Sequence, residues 1–348
     1  MAQNTTTTRL SQEKRMPVTT FIRDTFFPHV ETYVTEDVEI DTRKGGQIVA
    51  PVVAPNVGGL NMGRQGYKTD KYTTPLIAPQ KPISKELLKI RQLGESVESQ
   101  QTPEQRAEAI MQKDAADMDD SITRREELMA AQLLTTGKVV LKGYLDDNMT
   151  KFVDESVDFG FDQNTVLTGD AKWNGAASSK YDDLARICEQ VMKAGYNPGY
   201  LLLGVDSYKL LLKDNDFMKY KLDISNLALA SLAPQLSLKS GNGVKAIGRI
   251  NDLGVDVYAY YAWYMDENGV LQPYIPGNKV IAAPDGVGEF LYGAVTQVEE
   301  DKEFHTYEST RVPKEWTDVN SDVKMCRLSS RPLPRPYDID GWATLDTF

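Results

Sequence analysis

One stretch of sequence constrains the fold more than any other, because residues 102–137 lack internal glycine and have proline only at position 103. Thr102 is a good N-cap, since its hydroxyl can accept a hydrogen bond from a free N–H of the first turn, and Gln105 completes a capping box. Pro103 suits the first helical position, where no N–H is needed, and Gly137 can adopt the left-handed C-cap conformation. The sequence therefore predicts one unbroken helix, a rod of about 50 Å.

This predicted helix carries a partial apolar stripe on one side and mostly acidic residues on the other. The stripe consists of Ala107, Ile110, Met111, Ala115, Met118, Ile122, Met129 and Leu133. The opposite face holds Glu104, Glu108, Asp114, Asp117, Asp120, Arg124 and Glu127. Spacings of three and four residues predict that the apolar face packs on a sheet or a neighbour. A helix lying on its own domain is favoured over a coiled-coil dimer, because leucine-type heptads are not sustained.

Charge and cysteine content narrow the classes of function. The 348 residues include 39 Lys and Arg against 50 Asp and Glu, a formal net charge of −11. This negative charge argues against a protein whose main function is to bind nucleic acid through its phosphates. It is compatible with a protein that lies near DNA without binding it tightly. Cys188 and Cys326 lie far apart, so we expect no disulfide framework and a reducing, intracellular origin. No apolar run is long enough to span a membrane.

The segment from about 42 to 85 departs from the rest of the chain in composition and charge. Its glycines and prolines interrupt short β-like pieces, which predicts an extended two-stranded arm rather than a packed domain. Against one acid, Asp70, it carries Arg43, Lys44, Arg64, Lys68, Lys71, Lys81 and Lys85. A basic arm indicates an acidic partner, either nucleic acid or another copy of the chain, and sparse aromatics weaken the nucleic acid option. A plain solvated loop is the alternative; if the arm binds a copy, the candidate contacts are Arg64, Lys68 and Lys71.

Outside the arm and the long helix, the sequence pattern predicts a short N-terminal helix, an α/β or α+β lobe and further strands. A short helix with Phe21, Ile22, Phe26 and Phe27 ends before Pro28. An amphipathic helix over 180–195, a buried strand over 199–204 and a second helix over 206–222 follow the arm and the rod. The first of these helices has a predicted apolar face of Leu184, Ile187, Val191 and Met192.

Strands are expected over 244–250, 255–275 and 289–297, with a hairpin turn at Asn268-Gly269. Val255, Val257, Ala259 and Tyr261 would line one face of the second of them. Near the end of the chain, Pro332, Pro334 and Pro336 are expected to separate two strand-like pieces.

The sequence contains none of the common catalytic or cofactor motifs. His29 and His305 are the only histidines, and neither CxxC nor HExxH occurs, so a zinc site is not expected. GxSxG is absent, and the glycines of 58–66 have the wrong spacing for a phosphate loop. The acids of 114–120 could attract a cation, although a solvated helix face is the favoured interpretation. We therefore expect no catalytic residue, no cofactor and no metal ligand.

Five stretches, in this order, resemble the major capsid proteins of lambda-type tailed bacteriophages, the capsid protein E family. Phe26-Phe27 followed by VEID resembles the early part of the family pattern, and RREELMAAQLLTTGKVVLKG resembles its spine helix running into a strand. DENGV at 266–270 is similar to a family hairpin, and VPKEW at 312–316 to a family motif. SSRPLPRPYDIDGWATL resembles the family's C-terminal tail.

The resemblance implies the Hong Kong 97 phage fold, an α+β fold with an extended E-loop hairpin, a P-domain and an A-domain. The implied boundaries are an N-terminal arm and first strand over 1–40, the E-loop over 41–85, the P-domain over 86–175 with the spine helix 103–136, the A-domain over 176–290, and a C-terminal return to the P-domain over 291–348.

The function implied by the resemblance is structural rather than enzymatic. It is a major capsid protein that self-assembles into hexamers and pentamers of an icosahedral phage head around double-stranded DNA. Implied partners are copies of the chain, scaffolding and portal proteins and a decoration protein, with DNA close by non-specifically and no membrane. The implied location is the virion, after assembly in the cytoplasm of the bacterial host. The alternatives are another oligomeric shell or tail protein, and an enzyme with an unrecognised site.

Overall fold

The computed structural model describes residues 18–42, 49–50, 52–53, 68–89, 102–145, 151–214, 217, 222–223, 243–299, 301–318 and 323–348. The helices in these ranges are α1 Phe21–Phe26, α2 Lys85–Lys89, α3 Pro103–Thr136, α4 Lys180–Lys193 and α5 Val205–Leu212. A single 3-10 turn covers Gly169–Ala171.

The strands of the first half are β1 His29–Thr32, β2 Asp37–Thr42, β3 Lys68–Thr73, β4 Gln80–Ser84, β5 Lys138–Val139, β6 Lys142–Tyr144, β7 Phe152–Asp154, β8 Val157–Asp158 and β9 Asn164–Val166. The strands of the second half are β10 Tyr200–Leu203, β11 Leu222–Asp223, β12 Val244–Ile250, β13 Val255–Tyr260, β14 Trp263–Met265, β15 Leu271–Pro273, β16 Lys279–Ala283, β17 Gly288–Tyr292, β18 Val295–Val298, β19 Phe304–Tyr307, β20 Val312–Asp318, β21 Val323–Ser329, β22 Pro332–Pro336 and β23 Ala343–Asp346.

The long helix is confirmed with the predicted ends. Its capping box is complete: the Gln105 N–H donates to the Thr102 hydroxyl at 3.3 Å, and the Thr102 N–H donates to Gln105 Oε1 at 3.1 Å. Gly137 closes the helix in the left-handed region with φ of +69°, and its N–H donates to the Leu133 carbonyl at 2.8 Å. The helix is therefore a rod of 34 residues fixed at both ends by its own caps.

The predicted stripe is correct in the second half of the helix and weaker in the first. Met118, Ile122, Met129 and Leu133 are buried, whereas Ala115 is exposed. From Glu126 onward the helix is buried on almost every side, because other elements surround it. Glu127, which the pattern assigns to the polar face, is fully buried, so that assignment was wrong.

A seven-stranded sheet forms the larger part of the core, in the order β11-β12-β13-β10-β16-β23-β9. It is mixed, since β10 runs parallel to β13 and β23 parallel to β9, while the other neighbours are antiparallel. Residues of α4 and α5 pack on one face, among them Leu184, Ile187 and Leu211. Alternation of side chains sends Leu202 and Tyr258 to the other face, where α1 and the end of α3 lie.

Several smaller sheets accompany the seven-stranded sheet, and α3 packs against strands of both three-stranded ones. Strands β1, β17 and β22 form one three-stranded sheet, and β20, β21 and β4 form another. Two-stranded hairpins pair β2 with β3, β14 with β15, and β18 with β19, and the pairs β5/β8 and β6/β7 follow α3. The predicted turn at Asn268-Gly269 is confirmed as the connection between β14 and β15.

The three C-terminal prolines lie inside a strand, contrary to the expectation that they separate two strands. They occupy alternate positions of β22, which pairs only with β17 in its sheet. Side chains and N–H groups alternate along a strand, so prolines two residues apart all lack their N–H on the same edge. An edge strand accepts this pattern without losing ladder hydrogen bonds.

Other expectations also changed. The single strand expected over 289–297 is two, β17 and β18, which break at Gly293, where a Cβ would lie 2.1 Å from Thr74 Oγ1. Met192 is 44% exposed rather than buried, and Tyr261 lies just beyond β13. The helix expected over 206–222 is observed as α5, and most of its predicted second half lies outside the described residues.

The domain boundaries stay a prediction. The seven-stranded sheet joins strands of 200–283 with β9 and β23, which come from distant parts of the sequence.

Within the described ranges, the helices are too short or too polar to cross a membrane.

Candidate functional site

The three arm cations chosen from the sequence differ in how much the structure says about them. Arg64 lies outside the described residues, and Lys68 begins β3, with only its backbone described. Lys71 is in the same strand and faces β2, the partner strand at the base of the arm. The antiparallel pairing of β2 with β3 shows that the chain leaves and returns side by side there. The role of the three residues in subunit contact stays a prediction.

Lys71 is already engaged within its own chain. Its Nζ lies 2.7 Å from Asp37 Oδ2 across the ladder, and the Thr73 hydroxyl donates to Asp37 Oδ1 at 2.7 Å. The hydrogen bond from Lys71 lowers the pKa of Asp37, and the same bond raises the pKa of Lys71. The pair is solvent-exposed, so it contributes little to stability and can rearrange when a partner approaches.

The acidic first half of α3 meets cations of its own chain. Lys81 on β4 donates to Asp114 at 2.9 Å and to Asp117 at 3.0 Å. Further along, Arg311 Nε donates to Asp119 Oδ1 at 2.8 Å. These contacts attach the sheet β20-β21-β4 and its approach segment to the rod, so part of the acidic face serves the subunit itself.

Glu126 is a fully buried carboxylate in the second half of α3. It accepts from Arg23 Nη1 at 2.8 Å, from Arg311 Nη1 at 2.7 Å and from the Tyr292 hydroxyl at 2.9 Å. Two guanidinium groups and a hydroxyl thus compensate the buried carboxylate charge of Glu126, which would strongly destabilise the fold without partners. The three donors come from α1, from the segment before β20 and from β17, so Glu126 connects three parts of the chain to α3.

Glu127, the next residue, accepts hydrogen bonds from the backbone of α1. Its Oε1 accepts the Ile22 N–H and its Oε2 accepts the Arg23 N–H, both at 2.9 Å. These are free amide groups of the first turn of α1, whose N-cap residue makes no side-chain cap bond. The Tyr260 hydroxyl of β13 also donates to Glu127 Oε1, at 2.5 Å. Glu127 therefore caps α1 from a distance and joins it to the seven-stranded sheet.

Burial opposes the charge on Glu127. Removal of the carboxyl from water raises its pKa to about 7, although the hydrogen bonds from Tyr260, Arg23 and Ile22 favour the ionised form. Burial and the neighbouring Glu127 charge also raise the pKa of Tyr260 well above its ordinary value. The Glu127 carboxyl, at the junction of α1, α3 and β13, therefore has a pKa close to neutral pH.

Sequence reasoning missed this pair of glutamates, although a signal was present. Glu126 stands four residues after Ile122 and three before Met129, so it lies on the apolar stripe itself. A charged residue on a core stripe indicates a buried ion pair. The partners Arg23 and Arg311 could not be named from the sequence, because they lie 103 and 185 residues away.

The remaining titratable groups do not form an evident catalytic centre in the described part of the chain. His305 Nε2 lies 2.7 Å from Asp301 Oδ2, and possible ligand atoms of Asp301, Glu303 and His305 lie within 4.8 Å of one another. The search for CxxC and HExxH motifs did not single out these three residues. The cluster is exposed or half-buried, and both cysteines are free and buried.

Comparisons with known proteins point to capsid proteins of phages. The family model for phage major capsid protein E matches residues 5–347. The major capsid protein of Enterobacteria phage P21 is 23% identical over 333 residues, covering 92% of each chain. The crystal structure of a prophage capsid protein from E. coli CFT073 superposes with a TM-score of 0.66 at 18% identity, covering 96% of this chain and 94% of the other.

An encapsulin complex shares the fold more distantly. The holo-SrpI encapsulin complex of Synechococcus elongatus PCC 7942 gives a TM-score of 0.50 at 11% identity, covering 97% of this chain and 92% of the other. The α+β fold of the Hong Kong 97 type, expected from the resemblance, is confirmed. With a family model that spans nearly the whole sequence, the chain belongs to the phage major capsid protein E family.

Proposed function

We propose that this chain is the repeating subunit of an icosahedral phage head, in which it assembles into hexamers and pentamers around double-stranded DNA. The observation that carries the proposal is the match of the capsid protein E family model to residues 5–347. The rod α3, capped at both ends and held by Glu126 and Glu127, supplies a stiff frame for such a subunit. Head-to-tail contacts between stiff copies form rings when the rotation between neighbouring copies closes.

The charge of the chain suits a container for DNA. A net charge of −11 disfavours tight binding of phosphates by the chain as a whole, which is compatible with a shell that encloses DNA without binding it strongly. Partners beyond the copies of the chain are scaffolding and portal proteins and a decoration protein. The subunit assembles in the cytoplasm of the bacterial host and ends in the virion.

Electron microscopy of the purified protein, alone and with its scaffold, tests the proposal. We expect closed shells whose projections show five-fold and six-fold clusters. Monomers or irregular aggregates under every assembly condition would contradict it.

The second candidate is a compartment shell of the same fold, which the likeness to the encapsulin complex favours. The contents of particles isolated from the native host separate the two. Nuclease-protected double-stranded DNA supports a phage head, whereas a packaged protein cargo without DNA supports a compartment.

A further inference from the structure

A groove of about 710 Å³ lies between the second half of α3 and the hairpin β14–β15. Its walls include the exposed apolar side chains Trp263, Met265, Leu271 and Val140. Met265 is 66% exposed and Trp263 is 54% exposed, high values for residues of this size. Contiguous exposed apolar surface in a concave site is typical of a place where another protein binds.

The side chains that line the groove include one more cation than acid. Arg124, Arg125 and Lys142 line it against two acids, Asp266 and Glu267. Glu267 is engaged by Arg125 at 2.6 Å, and Asp266 accepts two backbone N–H groups within its own turn. Arg124 lies 3.8 Å from Asp120 of its own helix, and this partly exposed pair can rearrange when an acidic partner approaches. We therefore expect an occupant that presents an apolar side chain flanked by acids.

One described segment of this chain presents that combination on its surface. The hairpin β18–β19 carries Phe304, which is 78% exposed, beside Glu299, Asp301 and Glu303. A single lysine, Lys302, accompanies these acids in the turn. An exposed phenylalanine on a short hairpin is unfavourable in a free monomer, and it is a common anchor where a partner supplies a pocket.

The groove and the segment that leads from the hairpin to β20 contact opposite flanks of the rod. The segment leading from β19 reaches α3 through Arg311, which contacts Asp119, Thr123 and Glu126. The groove is lined instead by Ser121, Arg125, Leu128 and Gln132 of α3. At about 100° per residue these two sets of positions face directions about half a turn apart. Two unlike patches on different sides of a subunit allow a head-to-tail contact, and such contacts form a ring of identical copies when the rotation between neighbours closes.

We propose that the β18–β19 hairpin of one copy docks into the groove of a second copy, with Phe304 as the apolar anchor. The acids of the hairpin then face the cationic rim formed by Arg124 and Lys142. The inference rests on the proposed function, because it requires copies to meet within a closed ring, and it specifies which two surfaces meet.

Cross-linking of assembled particles tests the proposal. A chain with both Phe304→Cys and Met265→Cys is assembled and treated with a flexible bis-maleimide, whose reach does not require ideal disulfide geometry. Native Cys188 and Cys326 are buried and do not compete. We expect a ladder of covalent oligomers on a denaturing gel, and none from either single variant.

Mixed assembly identifies the chains that are joined. Particles built from one chain with Phe304→Cys and a differently tagged chain with Met265→Cys should give cross-linked dimers that contain both tags. Intact particles in which both cysteines react with a monofunctional maleimide but give no cross-link would overturn the inference while leaving the proposed function intact. Failure of the unmodified chain to form particles would overturn both.

A second measurement does not depend on cross-linking. Phe304→Ser should reduce particle yield by roughly tenfold or more, as expected for the loss of an aromatic anchor. Circular dichroism should show an unchanged fold, because the side chain is 78% exposed. Val166→Ser removes an apolar side chain that is 58% exposed on β9, away from both patches, and is the matched control. Equal yields from the two variants would contradict docking through Phe304.

Discussion

The buried carboxylate of Glu127 should make the stability of the subunit fall as pH rises toward neutrality. Burial raises its pKa from 4.5 to about 7 in the folded chain. The folded state therefore holds a proton that the unfolded state has released between these two values. The resulting contribution to stability is complete below about pH 4.5, declines as pH rises and is gone above about pH 7.

The magnitude follows from the size of the shift. Each pKa unit corresponds to about 1.4 kcal/mol, so a rise from 4.5 to about 7 is worth on the order of 3 kcal/mol between pH 4.5 and pH 7. Glu127→Gln keeps the shape of the side chain and cannot ionise, so this part of the pH dependence should disappear. The amide nitrogen of the new glutamine would face one of the three donors, which costs about 1–3 kcal/mol at every pH in this range.

Urea unfolding of the unassembled subunit at pH 5 and at pH 8 measures the effect. The difference in unfolding free energy between the two pH values should change by on the order of 3 kcal/mol between the native chain and Glu127→Gln. Glu108→Gln, on the exposed part of the same helix, is the matched control and should retain the native pH dependence. The same pH dependence in Glu127→Gln and in the native chain would refute the assignment.

Three further changes test other parts of the account. Glu126→Ala should destabilise the subunit by about 3–5 kcal/mol in urea unfolding, because it leaves the Arg311 guanidinium poorly solvated and without its main partner; a loss below about 1 kcal/mol would argue against the buried network. Gly137→Ala should cost at least about 2 kcal/mol, since φ is +69° and the new Cβ would lie 2.0 Å from Phe161 Cβ; an unchanged melting temperature would contradict the left-handed cap. Reversal of the three arm cations should lower particle yield with the fold intact, whereas reversal of exposed lysines on α4 and α5 should not; equal yields would show that the arm's charge is not used.

The sequence was most informative where local chemistry decides the structure. The capping box, Pro103 and the left-handed glycine at 137 define both ends of α3 from residues within one turn of those ends. Short periodic segments such as α1 and α4 were also predictable, because burial of an amphipathic face follows from spacing. These elements require no knowledge of what lies across the core.

What the sequence could not reveal depends on distant contacts. Glu127 has a position typical of a solvated face, but α1 and β13 cover it, and residues 104 or more positions away in the chain determine that burial. The strand of alternating prolines depends on the edge position of β22, which is a property of the sheet rather than of the segment. The candidate docking groove likewise combines residues of α3 with a hairpin more than 130 residues later.

The central claim is that copies of this chain build a closed shell, and cryo-electron microscopy of purified, assembled protein tests it most directly. The account predicts icosahedral particles with pentamers and hexamers, in which density for α3 is repeated in every subunit. Particles without icosahedral order, or a chain that stays monomeric with and without its scaffold, would contradict the claim.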